Sequence, residues 1–277
     1  MYERKGLRDN CKQQVNTNMK TLTLIIPLYD EEKRIGETIK ALNNFVPPNN
    51  LILSKIIFVN DGSTDKTVRI LEEADIKYPA DILSYKTNRG RGFALKMGVK
   101  RADSDYIMYI DGDYSIPLDN LKGFNKYMQK GVDVIIGSKK LKNTKCLVKR
   151  SFVREFIGTG HTFIFNAVLG VGVKDYQGGF KVFTREIALT VFPKLRQERW
   201  GMDAELLYVA KNMGFEIKEL PIIWSHVSKS SKVNLARDVL RALQDVSAIK
   251  ISGILGKYTP DFYEGQLIPR IRLIPAI

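Results

Sequence analysis

The sequence predicts an α/β fold, with a mostly parallel central sheet and helices on both faces. Two observations point to it. Short β-rich runs alternate with segments of helical period from Thr21 to about Ser138. The runs are nearly continuous in apolar residues, the pattern of strands covered on both faces, where a half-exposed strand would alternate.

The elements follow in order. "TLTLIIPL" from Thr21 is the first strand, and Ile35, Ile39, Leu42 and Phe45 at helical spacing form the first helix. "LILSKIIFVN" is the second strand, with a helix from Thr64 to Tyr78 behind it. "DILSYK" is the third, followed by a helix from about Gly92 to Ala102. "DYIMYID" is the fourth, Leu118 to Gln129 is helical, and "VDVIIGS" is the fifth strand. Further on, "GGFKVFT" and "FEIKELPIIW" read as strands and "DAELLYVAKNM" as a helix. Val233 to Ile251 is a last helix, with Leu235, Val239, Leu243, Val246 and Ile249 on one face. The domain reading is a polar tail over 1–20, one domain over 21–252 and a C-terminal tail over 253–277. The domain has a first half at 21–138 and a second at 139–252.

A chain of 277 residues suffices for such a domain with a full core. Its net charge of +14 favours anionic partners: phosphorylated substrates, an anionic membrane surface or nucleic acid. Cys11 and Cys146 fit neither a metal-ligand spacing nor a disulfide framework, which suits a reducing compartment. With two histidines in the chain, a bound metal would need oxygen ligands. The first twenty residues lack the apolar core of a signal peptide, and no apolar run is long enough for a transmembrane helix. Phe156 to Val173, interrupted by His161, Asn166 and glycines, reads as a buried or interfacial segment.

In parallel sheets, ligands bind beyond the carboxyl ends of the strands. Three such ends carry polar clusters: Pro27 to Glu31, Asn60 to Ser63, and Asp111-Gly112-Asp113. Two carboxylates one residue apart at a strand end can share a divalent cation, Mg²⁺ or Mn²⁺, with substrate phosphates. An Asp-Gly turn would give the same letters for conformational reasons alone. In "VNDGSTD", Asp61 can accept from a nucleobase N–H, whereas Ser63 to Asp65 read equally as a helix start. Tyr29 can stack on a base or ribose. In "NRGRGFALKMG", two glycines before a helix let backbone amides approach an anion, and Arg89 and Arg91 add charge. The segment matches neither the P-loop nor the GxGxxG pattern.

Taken together and in this order, "IIPLYDEE", "VNDGSTDKT", "NRGRGFALKMG" and "YIDGDYSIP" resemble the inverting family 2 glycosyltransferases. That resemblance implies the Rossmann-like, A-type nucleotide-diphospho-sugar transferase fold. "KDYQGGFKVFTRE", "ERWGMDAELLYVAKNMGFEIKELPIIW" and "SSKVN" narrow it to the dolichyl-phosphate β-glucosyltransferase and polyprenyl-phosphate glycosyltransferase branch. The resemblance implies that Pro27, Tyr29, Glu31, Asp61, Arg89 and Asp111 bind the nucleotide. It implies that Asp111 and Asp113, with Ser115, hold the metal. Gln177 would border the sugar, while Arg199, Trp200 and Asp203 would lie on the acceptor side, Asp203 in the place of a base. Lys139, Arg150, Arg154 and Lys232 would face phosphate groups. Asn60 departs from the family's usual first aspartate. Lys139 departs from its frequent arginine, leaving Arg150 and Arg154 as the better phosphate fork.

Seven Lys or Arg residues between Lys139 and Arg154 adjoin the apolar stretch that follows. This combination suits a lipid phosphate at an anionic membrane surface. The expected activity is therefore transfer of a hexose, glucose, from a UDP-sugar to dolichyl or polyprenyl phosphate. The expected location is peripheral, on the cytoplasmic face of the membrane, with no nucleic-acid partner. Two alternatives stand beside it: a glycan hydroxyl acceptor with Asp203 as general base, and a non-catalytic basic module that would leave Asp61, Asp111 and Asp113 without a role.

Overall fold

The computed structural model of the chain describes residues 19–147, 162–225 and 235–259. Arg150, Arg154 and Lys232 lie outside them.

The first half is a run of strands and helices in strict alternation. Strands β1 (Lys20–Leu28), β2 (Leu51–Asp61), β3 (Ala80–Tyr85) and β4 (Tyr106–Ile110) alternate with helices α1 (Ile35–Asn44), α2 (Thr67–Glu72) and α3 (Arg91–Arg101). Then come α4 (Leu121–Met128), β5 (Val134–Ser138) and a short β6 (Lys145–Cys146). Helix α5 is described over residues 162–169. It is followed by β7 (Phe180–Thr184), α6 (Arg185–Thr190), α7 (Met202–Asn212), β8 (Ile217–Pro221), β9 (Ile223–Trp224) and α8 (Leu235–Ile254).

Seven strands make one sheet in the order β3-β2-β1-β4-β7-β5-β8, while β6 and β9 pair separately. Every neighbour in the large sheet is parallel except β7, which runs antiparallel to both β4 and β5. The sheet takes strands from both halves of the chain, so the expected parallel architecture holds with one inserted exception.

The continuous apolar runs behave as two-faced strands should. In β2, Ile56 and Phe58 enter one core cluster and Ile57 and Val59 the other. In β4, Met108 and Ile110 face one way, Ile107 and Tyr109 the other. Helices α1, α2 and α4 cover the first face; α3, α5, α6, α7 and α8 cover the second. Phe165, Leu169, Val171 and Val173 are buried, which matches the buried reading of that stretch, although Phe163 is exposed.

Three expectations change. The helix expected over Thr64–Tyr78 is only Thr67–Glu72: at its start Asp65 accepts from the Glu32 and Thr67 amides, and at its end it is capped at Glu73. Leu243, expected on one face with Val246 and Ile249, is exposed while those two are buried. That helix runs on to Ile254, and Tyr258 behind it is buried. The packed body therefore extends past the expected boundary at 252.

Candidate active site

Because β2, β1 and β4 are adjacent and parallel, their C-terminal ends meet at one edge. The loops there are laced together. Asp30 accepts from the Thr64 amide at 2.8 Å, and its own amide donates to Ser63 Oγ at 3.0 Å. The Glu31 amide donates to Thr67 Oγ1 and the Glu32 amide to Asp65. Thr38 Oγ1, in α1, donates to the Gly112 carbonyl at 2.8 Å and fixes the loop after β4. Among the described residues, Asp30 and Tyr114 are the non-glycine positions with positive φ, at 51° and 50°. Both lie in these loops, where backbone strain is tolerated only if the surroundings impose it.

Antiparallel β7 starts where β4 ends, with Ile110 opposite Phe180. This brings Gly178 and Gly179 beside Asp111. A Cβ on Gly179 would sit 1.8 Å from Asp111 Oδ2, so this position admits only glycine. Gln177 is exposed between buried Tyr176 and Gly178.

Asp111 and Asp113 are half-buried, and each uses one carboxylate oxygen inside the protein. Asp111 Oδ1 accepts from Arg91 Nε at 2.9 Å; Asp113 Oδ1 accepts from the Ser115 amide at 3.0 Å. The Oδ2 atom of each has no hydrogen-bond donor among the described residues. Two hard oxygens one residue apart fit a divalent cation whose other ligands are phosphate oxygens and water. Among the described residues, no group of three or more His, Cys, Asp or Glu side chains forms a self-sufficient cage. Ser115 is buried, and its amide orients Asp113.

Behind Asp111 lies a chain of buried charges. Arg91 Nη1 donates to Asp203 Oδ2 at 2.6 Å, and Arg91 Nη2 lies 2.9 Å from Asp111 Oδ1 without a hydrogen bond of its own. Asp203 is wholly buried; its Oδ1 accepts from Lys181 Nζ at 2.8 Å and Tyr109 OH at 2.5 Å. Lys181, also wholly buried, spends its remaining protons on the Tyr176 and Gly178 carbonyls at 3.1 and 2.6 Å. Tyr109 and Lys181 are directly opposite in the β4–β7 register, which puts both on the α3/α7 face. Burial pushes the Asp203 carboxyl up, but Arg91, Lys181 and the Tyr109 hydroxyl hold it below the usual carboxylate range. Burial lowers the Arg91 pKa, and Asp203 and Asp111 more than reverse it.

The other expected residues are placed as follows. Pro27 is buried in β1, and Tyr29 is 48% exposed at its end. Glu31 is clasped by Arg34 at 2.5 and 2.7 Å. Burial raises the Glu31 pKa, Arg34 opposes this, and Asp113 and Asp65 add to it. Asp61 is buried and accepts from the Arg89 and Gly90 amides, both at 2.8 Å, and from Asn88 Nδ2 at 3.1 Å. The anion received by the amides before α3 is thus the protein's own. The glycines there serve packing: a Cβ on Gly90, whose φ is 107°, or on Gly92 would strike Glu198 or Arg199. Asn60 donates to Ser84 Oγ and accepts from the Ser63 amide, a pairing of roles that an aspartate lacks.

Arg89 pairs with Glu198 at 2.5 Å and lies over the Phe93 ring. Arg199 is exposed, and Trp200, 58% exposed, lies 5.5 Å from the Arg91 guanidinium. The Lys139 amide donates to Asp175, and its ammonium lies 5.1 Å from the Trp224 ring. Arg91, read from the sequence only as added charge beside an anion, and Lys181, left without a site role, are central. The only signal for Arg91 was its place two residues after Arg89, and nothing marked Lys181.

The Glycosyl transferase family 2 profile matches residues 23–192. A dolichyl-phosphate beta-glucosyltransferase of Dictyostelium discoideum is 31% identical over 238 residues, 79% of this chain and 73% of the relative. The Saccharomyces cerevisiae protein of that name is 31% identical over 86% of this chain and 76% of its own length, and the Homo sapiens one 28% over 83% and 75%. Among solved structures, glucosyl-3-phosphoglycerate synthase from Mycobacterium tuberculosis, in complex with Mn²⁺, UDP and its product, superposes with a TM-score of 0.58 at 17% identity. That match covers 86% of this chain and 80% of the other. S. aureus TarS with UDP-GlcNAc gives 0.52 at 17% identity, over 83% and 66%. The fold shared with these two and the sequence shared with the first three agree: the chain is a glycosyltransferase and belongs to glycosyl transferase family 2.

Proposed function

We propose that the chain transfers glucose from UDP-glucose to dolichyl or polyprenyl phosphate at a membrane surface, with inversion and with Mg²⁺ or Mn²⁺. The observation that carries the metal and donor part is the pair of unpartnered oxygens on Asp111 and Asp113, beside the Gln177–Gly179 loop. The named activity of the relatives supports the acceptor. Mn²⁺ and UDP in a structure of the same fold support the donor.

Pro27 and Tyr29 line the nucleobase. Asp61 holds the 88–90 loop that closes the nucleotide side. Asp111 and Asp113 hold the cation, which when bound would neutralise charge developing on the leaving diphosphate. Arg91 fixes Asp111 in that orientation and adds positive charge beneath it. Lys181 fixes the carbonyls of Tyr176 and Gly178, so that Gln177 faces the sugar. Trp200 offers an apolar platform to the acceptor, with Lys139 and Arg199 supplying charge.

An oxygen of the acceptor phosphate forms a bond to the anomeric carbon on the face opposite UDP. The bond from that carbon to the diphosphate breaks, and its electron pair leaves on the diphosphate oxygen. A phosphate monoester has a second pKa of about 6 and is largely ionised at neutral pH. It needs no base, and Asp203, wholly buried between two cations, is a positioning residue for Arg91 and Lys181. A hydroxyl acceptor would require an accessible base, a role for which Asp203 is badly placed.

The test is a transfer assay with labelled UDP- and GDP-sugars, Mn²⁺ or Mg²⁺, and a polyprenyl phosphate in detergent. Label from UDP-glucose moves to the organic phase, and Asp113→Ala abolishes it. No lipid-linked product from any donor, with metal-dependent UDP-glucose binding intact, would move the acceptor to a glycan. Loss of binding as well would sink the transferase reading.

A further inference from the structure

Helix α8 has two apolar faces. Ala242, Val246 and Ile249 are buried in the core cluster that includes α7. Leu240, Leu243, Ile251, Ile254 and Leu255 are exposed, from 40% at Leu243 to 74% at Ile254. With Ser247 between them, they recur in steps of three and four and so share one side of the helix, a stripe about 22 Å long. From Val246 to Thr259 there is no acidic residue. Asp245, just before this stretch, lies against Gly201 at the start of α7.

The stripe runs into a basic depression. Beyond Leu255 the chain lines an open cavity of about 530 Å³ whose wall includes Lys96, Lys194, Arg196, Lys257 and Thr259. The acids that act on Lys96 are Glu198 and Glu205. Glu198 is paired with Arg89, and Glu205 accepts from the Arg196 and Gln197 amides and from Tyr258 OH. Both acids are thus engaged elsewhere, and Lys96, Lys194, Arg196 and Lys257 give the cavity wall a basic composition. An apolar stripe flanked by cations is the composition of a helix that lies in a bilayer interface. Among the described residues, no helix is long and apolar enough to cross one.

We infer that α8 seats the protein on an anionic phospholipid bilayer, its outer stripe entering the interface and the basic depression at its end taking a lipid phosphate. This deepens the proposed function by naming the surface that meets the membrane, a different one from the basic stretch after Lys139. Asp245 against Gly201 ties the seated helix to the residue next to Trp200, so the bilayer would be held at the acceptor side.

The test is sedimentation with vesicles of phosphatidylcholine, alone or mixed with phosphatidylglycerol. The native chain partitions onto the mixed vesicles and much less onto the neutral ones. Ile251→Glu with Ile254→Glu lowers partitioning at least tenfold. Lys194→Glu with Lys257→Glu lowers it at least fivefold per residue. Ile251, Ile254 and Lys257 are exposed and Lys194 is half-buried, and an unchanged melting midpoint and metal-dependent UDP binding show that the fold is kept. Unchanged vesicle binding in the isoleucine pair would overturn the inference. So would a dimer in solution that this pair turns into monomers, because the stripe would then belong to a second copy. Vesicle binding by a native chain that fails to bind UDP-glucose would leave the inference standing and remove the transferase reading alone.

Discussion

At Gly179 a single hydrogen separates the proposed metal site from a clash. Its missing Cβ leaves room for Asp111 Oδ2, one of the two oxygens open to a cation. Gly179→Ala must displace one or the other. We expect a roughly tenfold to hundredfold loss of Mn²⁺-dependent UDP binding, the scale seen when residues supporting a metal ligand are changed. Calorimetric titration checks it; unchanged affinity would show that Asp111 is not a ligand. The buried Asp203 makes a different prediction. Its folded pKa lies below that of an ordinary carboxylate, so its contribution to stability is present above the unfolded pKa and is lost as pH falls through the folded one. Asp203→Asn should lower the melting midpoint at neutral pH and flatten its decline below about pH 4. A variant with the same acid limb as the native chain would refute this. The same variant bears on mechanism: near-normal turnover with lipid phosphate would exclude an essential base.

At the scale of elements, the loop between β3 and α3 depends on one side chain from β2. Asp61 satisfies the Arg89 and Gly90 amides, so Asp61→Ala leaves a part-buried and a buried donor without an acceptor, the buried Gly90 amide at about 1–3 kcal/mol and the Arg89 amide at less. Hydrogen exchange at amides 89 and 90 should accelerate in that variant; unchanged protection would mean that another acceptor holds the loop. The elements themselves were unequally legible. β1, β2 and β4 were plain because their apolar runs are continuous and their ends polar. The direction of β7 was not, since five apolar-rich residues carry no sign of which way they run. Helix α6 and strand β6 were too short for periodicity to register, and the one strand read over "FEIKELPIIW" is broken into β8 and β9. In the site, the aspartates after β4 were legible because acids at a buried strand end need a reason. Arg91 was not separable from Arg89 by pattern. What separates them is that Arg91 opens α3 and turns toward Asp111, while Arg89 stays outside with Glu198. Lys181 looked like any lysine in an alternating strand, and only pairing with Tyr109 buries it.

For the whole molecule, one sheet joins the strands proposed to face the nucleotide to those proposed to face the acceptor, so ligand at the shared edge should stabilise the whole sheet. Mn²⁺ and UDP at about a hundred times the dissociation constant add roughly 2.7 kcal/mol. That corresponds to a rise of about 5–10 °C in melting midpoint for a chain of this size. Chelation with EDTA should remove the rise. A shift by UDP that persists in EDTA would separate nucleotide binding from the metal.

The place of β7 also bears on how the chain comes off the ribosome. Strands β3-β2-β1-β4 can assemble as soon as Ile110 is made, but the partner of β4 on its free side ends only at Thr184. Strand β5 appears earlier in the chain yet cannot fill the gap, since β7 stands between them. At cellular synthesis rates of about 5–20 residues per second, the nascent sheet carries Tyr106–Ile110 as an open hydrophobic edge for roughly 4–15 s. An apolar strand edge of that kind pairs readily with other chains. The antiparallel insertion that brings Gly179 to Asp111 therefore leaves the nascent chain with a strand edge that something other than its own sequence must shield during translation.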